Sequence, residues 1–289
     1  MNDAPADFSS VVIFAAITGL ILWLARKYGY FRPLGDEWKP DVTLWHVAAA
    51  FGIYFGFSVF LLPIIAQIIF QFAPTLKSIG LVSWLSLINS TAIFIGLIVV
   101  WLSLSKTSRS LVWRSPHAEQ SYGDDFKIAC VTWCIGFPLV LFMSQLLDYL
   151  VFSLFKVTQL PDQVAVMFVK MTFANPLYFF LAILSIVVLA PLVEELLFRG
   201  FLQSFIRKHL GPNQAILITS LCFAFFHFSP EQGLGNIPIV GSLFSLALFL
   251  GYIYERQRSL FASMCLHALF NTISVVNLYF LGGAPRGAL

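Results

Sequence analysis

The chain has 289 residues, of which 59% are hydrophobic and 11% charged, and its mean hydropathy is +0.86. Soluble domains carry about 25% charged residues, so the composition excludes a soluble protein and reads as an integral membrane one. The net charge of +3 comes without a basic run or tail, and no nucleic-acid partner is expected.

The amino end holds Asp3 and Asp7 but no Lys or Arg over residues 1–10, so the first apolar run reads as a retained helix, not a secretory signal. Apolar runs of spanning length fall near residues 9–25, 44–70, 79–104, 128–155, 177–205, 214–232, 237–254 and 260–281. They predict an all-α, polytopic integral membrane protein with about eight transmembrane helices forming one membrane domain. Segment 157–175, with Pro161, reads as an amphipathic connection: an interfacial helix over the outer end of the bundle, or a gate over a site. Cys130, Cys134, Cys222 and Cys265 all lie in apolar runs and read as small buried hydrophobes. Cys130 and Cys134 are four apart, which makes at most half of a metal site.

Basic residues orient the chain. The odd-numbered connections hold twelve of them: four in the first (Arg26 to Lys39), four in the third (Lys106 to Lys127), then Arg207, Lys208, Arg256 and Arg258. Lys77, Lys156, Lys170 and Arg286 lie on the other side. The alternation predicts both termini outside and the odd connections in the cytoplasm. His46, His117 and His209 fall at connections or span ends and read as interfacial, and Asp148 as a group that snorkels or pairs locally. Asn89, Gln67 and Gln145 read as interhelical hydrogen-bonders.

The fifth run carries Pro191, Glu194, Glu195, Arg199 and Gly200, charges where lipid-facing residues are expected. Each charge at bilayer mid-depth costs about 2.5–3.5 kcal/mol on insertion scales, so their presence calls for a role. On a helix Glu195 and Arg199 are four apart and pair, while Glu194 turns away by about 100° and is free for another task. His227 interrupts the sixth run, and His267 and Asn271 share one face of the eighth. Counted from the basic edge at about 1.5 Å per residue, Glu194 and Asn271 lie roughly 20 Å in, His227 roughly 21 Å and His267 roughly 14 Å. Three helices therefore bring polar groups to similar depth, which points to one shared site. A carboxylate and an imidazole on different helices can hold a water between them, and a poorly solvated carboxylate is a stronger base than one in water. His267 and Asn271 can donate to an oxyanion forming on a neighbouring carbonyl. Pro191 frees the carbonyl four residues back, kinks the helix and lets Glu194 lean into a cavity, and Gly200 permits close helix approach.

Glu194-Glu195-x-x-x-Arg199, Phe223-x-x-x-His227 and His267-x-x-x-Asn271 resemble the three motifs of the CAAX prenyl endopeptidase and bacteriocin-processing (CPBP, or Abi) membrane proteases. The resemblance covers roughly residues 185–280. It implies a glutamate-type intramembrane endopeptidase without metal or other cofactor. Glu194 would be the water-activating base assisted by His227, His267 and Asn271 the oxyanion hole, and Glu195 with Arg199 a supporting pair. Residues 176–289 would then be the catalytic helices and residues 1–175 scaffold or substrate-recruiting surface. The partners implied are the lipid bilayer and a membrane-anchored peptide or protein substrate, prenylated or leader-bearing. The short connections suggest a bacterial plasma membrane. Three other readings stand beside this one. A zinc hydrolase would use His227, His267 and a glutamate. A transporter with a Glu/His proton relay would need paired broken helices in two halves. A binding or immunity protein would keep the fold without turnover.

Overall fold

The computed structural model describes residues 7–35, 38–72, 78–115, 121–157 and 159–281; Lys77, His117 and Arg286 lie outside them. Among the described residues the regular elements are all helices, with one isolated bridge between Arg114 and Ser259. Helix α1 (Phe8–Lys27) starts where Asp7 accepts a hydrogen bond from the Ser10 amide. It is followed by α2 (Leu44–Phe72), α3 (Ile79–Ser103), the short α4 (Lys106–Trp113) and α5 (Tyr122–Phe155). The short α6 (Val164–Thr172) precedes α7 (Pro176–Leu210), α8 (Pro212–Phe226), α9 (Asn236–Gln257) and α10 (Leu260–Leu281). Polar caps set several of these starts: Ser78 opens α3, Ser121 with Asp124 forms a capping box on α5, and Asn175 accepts from two amides of α7.

Seven of the described helices are long and apolar enough to span a membrane, one fewer than the apolar runs predict. The exception is the sixth run, where α8 has 15 residues, about 22 Å of rise. It stops at His227, because the run continues into Ser229-Pro230, and a proline disfavours helix in the residue before it. The chain nevertheless reverses there. Ile216, near the start of α8, lies against Gly251 near the end of α9, and Asn236 at the start of α9 is hydrogen-bonded to Ser229. At the other end of α8 a tight turn rests on Gly211, whose φ of +82° lies in the region that favours glycine.

Helix α5 is the central post, packed along α1, α9 and α10. The approach of α9 is close enough that a Cβ on Gly136 would stand 2.9 Å from the Phe249 ring. Large apolar side chains such as Val99, Phe180, Phe225 and Phe280 point outward and are exposed. A surface of that kind suits lipid, and the chain is an integral, multi-pass membrane protein.

The odd-numbered connections converge on one end of the bundle. Arg207 donates to the carbonyl of Gly35 at 2.7 Å, and Lys208 pairs with Asp41 at 2.6 Å. The Trp38 indole donates to the Leu111 carbonyl, and the Ser115 amide to the Arg258 carbonyl. First, third, fifth and seventh connections thus interlock at one end, as expected if they share a side. Arg207, read from sequence as a connection residue, is buried to 1% exposure and paired with Glu255 at 2.7 Å. Asn89 bonds Ser58 and Gln145 accepts from Ser10 across helices, whereas Gln67 lies on an exposed face. Asp148 accepts from Ser144 one turn earlier.

Candidate active site

Helix α7 is not a regular α-helix: π-type turns occupy Leu184–Leu189 and Leu196–Gln203, on either side of Ala190–Glu195. Such turns insert one residue into the hydrogen-bond ladder and recur at functional sites. In the first of them the Ala190 amide bonds the Ser185 carbonyl five residues back. The next carbonyl in that pattern, Ile186, faces Pro191, which has no N–H. The carbonyl released is therefore five residues before the proline, not four, because the ladder has shifted to the wider spacing. Asn271 of α10 fills the gap, its amide nitrogen donating to Ile186 O at 2.9 Å.

The three motifs meet in space. Nε2 of His227 lies 3.8 Å from Glu194 Oε2, and Nε2 of His267 lies 3.9 Å from the same oxygen. Glu194 Oε2 is buried and takes no hydrogen bond from the protein. Each imidazole is oriented by its other nitrogen. His227 Nδ1 donates to the Phe223 carbonyl at 2.9 Å, and His267 Nδ1 to Glu195 Oε1 at 2.8 Å. A carbonyl or carboxylate oxygen only accepts, so both Nδ1 atoms carry hydrogen, and in its neutral form each ring presents the lone pair of Nε2 toward Glu194. With both rings neutral, a water between them and Glu194 can donate to two of these atoms.

Glu195 points the other way and is enclosed by donors. Arg199 Nη1 donates to Oε1 at 2.9 Å and Ser263 Oγ to Oε2 at 2.5 Å, in addition to His267. Arg199 also donates to the Ala247 carbonyl and lies 4.7 Å over the Phe223 ring. The same stripe continues down α7. Gln203 binds Gly251 O and Glu255, and Arg207 binds Glu255, all of them buried. Gly200 sits against Val112 of α4.

Glu194, His227, His267 and Asn271 all line one cavity of about 480 Å³. Its other walls are mostly apolar and include Val140, Leu246 and Phe270, with Val166 and Val169 from α6. The connection read as an interfacial helix or a gate is therefore a wall of this cavity. Glu195 and Arg199 lie behind it. Among the described residues, no group of three His, Cys, Asp or Glu is arranged to hold a metal ion. Four participants escaped sequence reading: Ser263, Gln203, Glu255 and the buried role of Arg207. A signal for three existed, since Ser263 is one turn before His267, and Gln203 and Arg207 continue the four-residue spacing from Glu195 and Arg199.

Fold and cavity define a multi-pass membrane protein with an enclosed carboxylate–imidazole cluster. Residues 176–273 match the family model described as type II CAAX prenyl endopeptidase Rce1-like, a segment that holds all three motifs. Over those residues the chain is similar to that family of membrane-embedded proteases, in agreement with the resemblance of the motifs. No curated protein and no solved structure matches the chain.

Proposed function

We propose that the protein is an intramembrane endopeptidase that hydrolyses a peptide bond in a membrane-anchored substrate, with Glu194 as general base. One observation carries the reading: Glu194 Oε2 and two imidazole Nε2 atoms converge at 3.8 and 3.9 Å on the inner end of an apolar-walled cavity. The Rce1-like segment supports the same chemistry. A water bridging Glu194 and His227 gives one proton to Glu194 as its oxygen bonds to the scissile carbonyl carbon. The carbonyl electron pair moves onto its oxygen, and the adduct then collapses with cleavage of the C–N bond. Glu194 returns the proton to the departing amine nitrogen, so the balance closes without metal or cofactor.

Asn271 has a second N–H beyond the one committed to Ile186 and can donate it to the oxyanion. His267 is held beside the same cavity by its Nδ1 bond to Glu195. Residues 176–289 act in this account as the catalytic helices, and residues 1–175 as scaffold and recruiting surface. The short connections favour a bacterial plasma membrane.

Reconstituted protein incubated with membrane-anchored peptides tests the reading directly. Wild type is expected to release a shortened peptide, and Glu194→Gln to release none while eluting as the same folded species. Equal rates in the two proteins would remove Glu194 as the base. Silence from both would favour a binding or immunity protein of the same fold.

A further inference from the structure

The cavity has a direction. From the Glu194 level it runs away from the interlocked basic end along every helix that lines it. On α7 its wall passes from Glu194 to Ala190 and Ile186, and on α10 from His267 through Asn271 to Leu278. On α9 it reaches Ser242, fifteen residues before the basic turn at Gln257, and Gln163 beside α6 lines its far end. Toward the basic end there is no continuation. Glu195, Arg199, Gln203 and Arg207 fill that space, each buried and bonded to α9, α10 or the first connection.

The basic end carries the odd connections, and basic connections stay in the cytoplasm. We propose that the site is entered only from the opposite, non-cytoplasmic face, past α6, and that its substrate is an exported or outer-leaflet-anchored polypeptide. This rests on the hydrolytic reading for the word substrate, but not for the side of entry. The cytoplasmic carboxyl terminus of a prenylated protein would meet the closed end. The rim at the open face among the described residues is nearly balanced in charge, with Lys170 paired to Asp162 at 2.6 Å and Glu231 exposed. Selection then falls to the apolar wall and to α6, whose Val166 and Val169 lie inside while Met167 and Met171 are exposed outside.

Side of entry is read by cysteine labelling with a membrane-impermeant maleimide, in right-side-out and inside-out vesicles. Glu231→Cys and Gln163→Cys report the open face, and Thr107→Cys the basic end. The four native cysteines are replaced by serine. Should that chain not fold, each variant is compared with the native-cysteine parent. The proposal expects Glu231→Cys and Gln163→Cys to react at least about tenfold faster in right-side-out vesicles and Thr107→Cys to show the reverse. Reaction of the first two only in inside-out vesicles overturns it. In a second arm, one anchored peptide is presented on either face of proteoliposomes of known orientation. Cleavage confined to the open face supports the substrate assignment, and cleavage confined to the basic face overturns it. Cleavage from neither face, with the labelling as expected, removes the hydrolytic reading and the substrate assignment while the side of entry stands.

Discussion

Two adjacent glutamates have opposite surroundings, and the difference comes from one step of helix rotation. Glu195 is fully buried and takes hydrogen bonds from Arg199, Ser263 and His267, whereas Glu194 faces the cavity at 17% exposure with Oε2 unpartnered. Removing Arg199 leaves a buried carboxylate without its main counter-charge, a change that costs about 3–5 kcal/mol in other buried pairs. Arg199→Met is therefore expected to unfold at markedly lower temperature in detergent, and Arg199→Met with Glu195→Gln to recover part of the loss. A double variant no better than the single would contradict the pairing account. Asn271 serves twice. Asn271→Ala should lower turnover by about 10²–10³, as loss of one oxyanion donor does, and lower stability by about 1–3 kcal/mol by orphaning a buried carbonyl. An assay of rate beside a melting curve separates the two effects. The ion pair and the shared face of His267 and Asn271 were legible in the sequence, since fixed spacing on a helix dictates both. That Asn271 is tied to Ile186 was not, because hydropathy carries no trace of the hydrogen-bond ladder.

At the scale of the element, α7 and α8 are the informative ones. The irregular ladder of α7 keeps Pro191 in an apolar helix without leaving its carbonyl unpaired, since α10 supplies the donor. Pro191→Ala restores an N–H that can reclaim Ile186 O and compete with Asn271. Its expected result is a protein at least as stable as wild type in a thermal melt, with turnover reduced about tenfold or more; an unchanged rate would disconnect the kink from the site. Helix α8 looked like a full span because its apolar run continues through Phe225, Phe226 and Phe228. Composition sees those rings as membrane-spanning, but Pro230 ends the helix early and leaves His227 at its terminus, bonded to Phe223 O. The broken span is what brings this imidazole to the Glu194 level.

On the scale of the whole molecule, one end is sealed and the other hollow. The sealed end combines a buried pair, Arg207 with Glu255, and an exposed one, Lys208 with Asp41. Their weights should differ. Glu255→Gln is expected to destabilise by about 3 kcal/mol or more by leaving Arg207 short of its partner, and Asp41→Asn far less, since exposed ion pairs contribute little. Paired melts in detergent check the contrast. The hydrogen bond from Lys208 holds the Asp41 carboxyl below its ordinary value, so its small contribution is present above the carboxylate range and lost only as pH falls through that lowered value. Between pH 5 and 8 this contact should therefore not change. That the odd connections share one end was legible in the sequence from basic residues alone, and their gathering agrees with it. The hollow was not, since a cavity depends on how helices pack and not on any one pattern. The central claim is that Glu194 drives cleavage of membrane-anchored chains. Comparing new peptide termini by mass spectrometry, in membranes of cells that express wild type or Glu194→Gln, tests it most directly. The account predicts termini present with wild type and missing with the variant, from chains exposed on the non-cytoplasmic face. Identical sets of termini, with both proteins folded and expressed, would contradict it.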